Sequence, residues 1–210
     1  MPKFTQEEVS EIISRLEKMH PEAHCELDFD TPFEALIAVI LSAQCTDKRV
    51  NLVTKDLYEK YNTPQEFASI DIKELEELIK PCGFYKNKAK NIKACAQQIL
   101  DKFNGEVPST MEELTSLAGV GRKTANVMLA EIYKEDAIAV DTHVKRVSNR
   151  LGFVKSDDPY EVEMALKKIF SKEKWARMHH LLIFLGRYTC KAIKPDCDVC
   201  LLNDICKSRK

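Results

Sequence analysis

Two glycines one residue apart, Gly119 and Gly121, separate two helical patterns in the stretch LTSLAGVGRKTANVMLAEIYKEDAIAVDTHVKR, residues 114–146. No other feature constrains the chain as strongly. Glycine lets a backbone turn sharply and come close to a partner. A short amphipathic helix over about 112–117 precedes the pair, and a second helix starts near Arg122 and runs to about Tyr133. The second helix opens directly behind the loop. Its free N–H groups and positive dipole end therefore face outward, a ready site for an anion such as phosphate. An apolar run over 137–140 then delivers Asp141 to the start of a further helix.

Two side chains in this stretch carry chemistry. Lys123 sits in the first turn of the second helix, where the dipole and burial favour the neutral amine over the ammonium. Such an amine is a nucleophile that forms a Schiff base with a carbonyl carbon. Asp141 follows an apolar run, where a carboxylate either caps a helix or takes part in a reaction. Taken singly, a GxG loop is a turn, a lysine a solvated charge and an Asp before Thr-His a cap. The ordered set carries more: loop, lysine two residues later, carboxylate eighteen residues beyond.

A chain of 210 residues with 44% hydrophobic and 31% charged content makes one large domain or two small ones. No apolar run reaches the length of a membrane span. The first residues, MPKFTQEEVSEIISRL, are amphipathic with early acids, unlike a signal peptide. A cytoplasmic protein is expected. The net charge of −1 does not by itself indicate nucleic acid, unless basic groups are segregated on one face. Lys86, Lys88, Lys90 and Lys93 form one cluster and Lys145, Arg146 and Arg150 another.

Of the eight cysteines, Cys25, Cys45, Cys82 and Cys95 are scattered and expected to act as small buried apolar groups. Cys190, Cys197, Cys200 and Cys206 crowd into the last 21 residues as C-x6-C-x2-C-x5-C. Without a signal peptide a metal centre explains them better than disulfides. Zinc and a [4Fe–4S] cluster both accept four thiolates, and geometry alone leaves the two level.

The remaining pattern is helical. Thr5 and Glu8 form a capping box for a helix reaching Met19. Thr31-Pro32 opens a helix to about Ser42 that is apolar nearly all round and belongs at the centre of a helical domain. Further helices are predicted over 64–68, 72–80, 86–103, 142–151, 159–170 and 173–188, with no strand pattern. The fold class is all-α.

The segments LAGVGRKTANV and VDTHVKRVSNR resemble the helix-hairpin-helix, Gly/Pro-rich loop and Asp signature of the DNA glycosylase superfamily. Within it the chain is similar to the endonuclease III family over nearly its whole length. Ala118 stands where that family often has proline. The resemblance implies a two-lobed helix-hairpin-helix glycosylase fold with a C-terminal iron–sulfur cluster loop. A six-helix barrel would span 25–135, and 1–24 plus 136–210 would form an iron–sulfur cluster domain. DNA would cross the cleft between them, with Lys123 and Asp141 at its mouth. The cysteine spacing after GRYTC implies a [4Fe–4S] cluster.

The implied activity is that of a base-excision-repair glycosylase with AP lyase activity. It would remove oxidised pyrimidines from duplex DNA and cleave 3′ to the abasic site by β-elimination through a Schiff base on Lys123, assisted by Asp141. Gln44 and Phe84 would fill the gap left by a flipped nucleotide. Gly119, Val120 and Gly121 would hold a phosphate, with His143, Lys191 and Lys194 as further DNA contacts. The implied partner is double-stranded DNA with damaged pyrimidines or abasic sites, bound by a monomer in the nucleoid, with no membrane involved. Two other readings stand beside it. A monofunctional mismatch glycosylase would not need Lys123. A non-catalytic iron–sulfur DNA-binding sensor of damage or redox state would need neither Lys123 nor Asp141.

Overall fold

The computed structural model describes residues 4–209, and all regular structure among them is helical. The chain divides into two compact units. One is Glu26–Glu135; the other combines Met1–Cys25 with Asp136–Lys210.

The first unit contains α2 (Pro32–Leu41), α3 (Asp47–Tyr58), α4 (Pro64–Ser69), α5 (Ile72–Ile79), α6 (Tyr85–Phe103), α7 (Met111–Ser116) and α8 (Arg122–Glu131). Thr31 and Glu34 form a capping box at the start of α2, and every residue from Phe33 to Leu41 is buried. This is the central helix that its all-round apolar sequence predicts. Helices α3, α6 and α8 pack against it. Glu34 is buried on it, and its carboxylate accepts the Asp30 N–H at 2.7 Å and the Thr31 N–H at 3.2 Å. Each fully buried Leu or Ile of such a helix contributes about 1.5–3 kcal/mol relative to exposure.

The second unit contains α1 (Gln6–Met19), α9 (Thr142–Leu151), α10 (Pro159–Ile169) and α11 (Trp175–Phe184). Its core joins Ile12 and Leu16 of α1 to Val144 and Val147 of α9, Leu166 of α10 and Leu181 of α11. Arg177 of α11 fixes the end of α1: its Nε donates to Glu17 at 2.8 Å, and its guanidinium also donates to the Pro21 carbonyl at 3.0 Å. A continuous helix over 173–188 does not form. A 3₁₀ turn at Lys172–Lys174 precedes α11, and a π-helical turn, Leu185–Thr189, follows it.

Two further expectations are corrected. Cys82 and Cys95 are buried, but Cys25 and Cys45 are only half-buried. The lysines of α6 do not form one basic face. Lys88 lies on the side opposite Lys86 and Lys90 and is buried, while the Lys93 Nζ is tied to the Ala68 and Ile70 carbonyls at 2.6 Å each. No helix among the described residues is long and apolar enough to cross a membrane.

Candidate nucleic-acid interface and metal centre

The hairpin between α7 and α8 is built from the inside outward. Leu117 and Val120 are buried beneath it, and the Val120 N–H donates to the Leu117 carbonyl at 3.2 Å. Gly119 has φ +78°, and a Cβ there would stand 2.9 Å from the Cβ of Asn91 on α6. Both the backbone conformation and the close approach therefore require glycine. The Ala118 N–H donates to Gln98 Oε1 at 2.7 Å, a second tie to α6.

Helix α8 then starts at Arg122 with Gly121 as N-cap and no side-chain cap. Helices α6 and α11 share this lack, but the others do not. Helices α1 to α5, α7, α9 and α10 each have a Thr or Asp side chain accepting a first-turn N–H. No side chain caps this first turn, and the positive dipole end there favours an anion. Gly119 and Gly121 are exposed. Val120 differs from them: its N–H donates within the turn and its side chain is buried. Lys123 is on this first turn and is exposed. The burial expected for it is absent.

Gln44 and Phe84 occupy two loops of the same unit. Gln44 lies between α2 and α3 and is exposed; Phe84 precedes α6 and is 65% exposed. Phe84 is thus no staple into the core. Both residues adopt left-handed backbone, φ 54° and 50°, an unusual conformation for side chains of this kind. Helix α6, like α8, begins without a side-chain cap. Sequence reasoning missed what joins these loops. The Lys88 Nζ donates to the Leu41 carbonyl at 2.8 Å and to the Cys82 carbonyl at 2.9 Å. Burial pulls this lysine below its ordinary range, and the nearby thiols of Cys82 and Cys45 oppose that.

In the other unit Asp141 is the N-cap of α9, its Oδ1 accepting the Val144 N–H at 2.7 Å. His143, one turn in, accepts from Arg146 through Nδ1 at 3.2 Å. Arg146 also donates to the Gly186 carbonyl at 2.7 Å and the Cys190 carbonyl at 3.1 Å. Burial pulls its guanidinium below the ordinary value, with the Cys190 side opposing. Arg150 donates to the Lys191 carbonyl at 2.7 Å, the Ala192 carbonyl at 3.0 Å and the Cys190 sulfur at 3.4 Å. These two arginines therefore hold the cysteine segment rather than forming a free basic face. Gly186 lets α9 approach: a Cβ there would stand 2.8 Å from the Cβ of His143 and 3.2 Å from the Arg146 guanidinium.

The π-helical turn delivers Cys190, whose N–H returns to the Leu185 carbonyl at 2.6 Å. Cys190, Cys197, Cys200 and Cys206 line one cavity of about 240 Å³ together with Leu151 and Leu185. Burial pushes the Cys200 thiol up; the Leu202 N–H opposes, and the other three thiols add to the rise. No three ligating side chains among the described residues converge closely enough to hold a single metal ion. A cavity edged by four thiols fits a polynuclear centre, whose ligands are set apart. On the same segment the Lys191 Nζ pairs with Asp196 at 2.8 Å, and Lys194 is exposed with φ 50°.

Comparison with known proteins is consistent along the chain. Residues 37–172 match the HhH-GPD superfamily of base excision DNA repair proteins, and residues 190–206 match the iron–sulfur binding domain of endonuclease III. The chain is 48% identical to endonuclease III of Bacillus subtilis (strain 168), covering 93% of this chain and 90% of that one. It is 44% identical to endonuclease III of Escherichia coli (strain K12), covering 95% of each. It superposes on endonuclease III in a non-covalent DNA complex with a TM-score of 0.94 and 51% identity, covering 98% of this chain and 97% of the other. A trapped covalent endonuclease III–DNA intermediate gives the same values.

Proposed function

Because the chain belongs to the endonuclease III family of the HhH-GPD superfamily, and so is a base-excision DNA glycosylase and AP lyase carrying a [4Fe–4S] cluster, we propose that it excises oxidised pyrimidines from duplex DNA through Lys123. The uncapped first turn of α8, which presents Lys123 beside the exposed amides of the Gly119–Gly121 loop, carries this reading. A phosphate on those amides fixes register without reading sequence. It places the sugar of a neighbouring flipped nucleotide within reach of the amine.

In the proposed reaction the Lys123 Nζ attacks C1′ and the C1′–base bond breaks, its electron pair leaving with the base. Asp141 stabilises positive charge developing at the sugar and accepts the proton lost by the amine. The ring opens to a Schiff base between Lys123 and C1′. That iminium acidifies the C2′ proton, and its loss expels the 3′ phosphate by β-elimination. Water then releases the lysine. Gln44 and Phe84 occupy the vacated stack. The capping bond of Asp141 is compatible with this role, since a carboxylate has lone pairs beyond the one that meets Val144.

Cys190, Cys197, Cys200 and Cys206 hold the cluster. Bound there, the cluster would tie together the segment bearing Lys191 and Lys194. These two lysines and His143 are proposed DNA contacts, and the enzyme is proposed to act as a monomer in the nucleoid.

The experiment is a nicking assay on duplexes carrying thymine glycol, an abasic site or a G·T mismatch. The first two should be cleaved 3′ to the lesion. Cleavage confined to alkali-treated G·T duplex would support the monofunctional reading instead.

A further inference from the structure

Gln44 and Phe84 each stand just past the carboxyl end of a helical segment. Leu41 closes α2 three residues before Gln44, and Cys82 closes the 3₁₀ turn Lys80–Cys82 two residues before Phe84. Carbonyls at such ends find no N–H within their own helix. The Cys45 N–H, which a continuing helix would give to Leu41, goes instead to the Ser42 carbonyl at 3.1 Å. One side chain serves both ends. The Lys88 Nζ donates to the Leu41 carbonyl at 2.8 Å and to the Cys82 carbonyl at 2.9 Å, and Lys88 is only 6% exposed. A cation there also meets the negative end of the α2 dipole. The main chain of Lys88 adds a further tie, its N–H donating to the Phe84 carbonyl at 3.0 Å.

We propose that Lys88 is a positioning residue for nucleotide flipping: its buried ammonium clamps the Gln44 loop to the Phe84 loop and sets both side chains in place to enter the duplex. Lys88 acts through the two loops and not on the reacting atoms. The proposal rests on the wedge reading of Gln44 and Phe84.

The conformation of the loops explains the need for a clamp. Gln44 and Phe84 have φ 54° and 50°, left-handed backbone that is unfavourable for a residue with a Cβ. Such backbone persists only where its surroundings over-determine it. Phe84 is 65% exposed, so burial of its own ring does not supply that restraint. Lys88 supplies it from beneath, through the carbonyls on which each loop begins. Loops already ordered before DNA arrives lose less entropy on binding, and more of the binding energy is left to hold the nucleotide out of the stack. Burying an ammonium is unfavourable unless polar partners meet it, and here the two helix-end carbonyls do so.

The test is nicking at an abasic site by holoenzyme carrying Lys88→Met, which removes the ammonium and keeps most of the stem. Nicking in duplex should fall at least about tenfold, the order expected when two charge-assisted hydrogen bonds are lost together. Nicking of the same site in single-stranded DNA should stay within about twofold, since no stack needs filling there. In the background of Gln44→Ala plus Phe84→Ala, Lys88→Met should add less than about twofold, because a clamp has no further effect once the side chains it aims are gone. Circular dichroism and cluster absorbance are the folding controls. If Lys88→Met does not fold, Lys88→Gln, shorter and uncharged, carries the same readouts. Unchanged nicking of duplex overturns the proposal. So does an equal loss on single strands, or a full further loss in the doubly substituted background. The enzyme with Gln44→Ala and Phe84→Ala alone tests the wedge reading by itself: if it nicks duplex as the unsubstituted enzyme does, that reading fails and the proposal falls with it.

Discussion

Gln98 Oε1 accepts the Ala118 N–H at 2.7 Å, a bond that the proline common at this place in the family could not make. Proline fixes φ and has no donor. Here a hydrogen bond to α6 supplies the restraint that a ring would give. Leu117, just before, has φ −78° and ψ 144°, the extended conformation that a following proline favours. Gln98→Leu should therefore loosen the hairpin, weakening binding to abasic duplex by about 0.5–1.5 kcal/mol. Adding Ala118→Pro should restore it, because proline needs no partner. Binding titrations of the two variants check this; no rescue by proline would mean that Gln98 acts in some other way.

Arg150 reaches three consecutive backbone segments of the cysteine loop and the Cys190 sulfur itself. Partners around metal ligands commonly matter by about 10–100-fold in affinity. Arg150→Met should leave helix content unchanged but speed loss of the cluster to a chelator by that order. The measurement is the decay of visible absorbance, with circular dichroism as the control for folding.

Gln44→Ala and Phe84→Ala should each reduce excision from duplex substrate, Phe84→Ala by the cost of a lost stacking contact, about 1–3 kcal/mol. Cleavage of a single-stranded abasic substrate should change much less, since no stack needs filling there. Equal losses on both substrates would show that these residues support the fold or the chemistry.

What was legible in the sequence was local. The Thr5–Glu8 box, the Thr31-Pro32 start and the all-round burial of α2 follow from spacings of a few residues. So does the hairpin, because its glycines and the helices flanking them are contiguous. The cysteine intervals pointed to a metal centre, though not to which metal. Lys88 was legible and overlooked: two residues from both Lys86 and Lys90, it has to face the other side of the helix. Arg146 and Arg150 were not legible. Their partners lie about forty residues downstream, on carbonyl groups that no side-chain pattern marks. The π-helical turn before Cys190 has no sequence signature either; only Gly186 hints at a close crossing. Val120 misled because its amide lies between two exposed glycines but is already used.

Borohydride trapping of Lys123→Gln decides the chemistry. Reduction during turnover should convert the Schiff base of the unsubstituted enzyme into a stable protein–DNA adduct, with peptide mapping placing the sugar on Lys123. Lys123→Gln should give no adduct and no nicking, yet bind abasic duplex with similar affinity, because the loop amides and the uncapped start of α8 remain. An adduct of undiminished yield in Lys123→Gln would contradict the assignment and place the nucleophile on another amine.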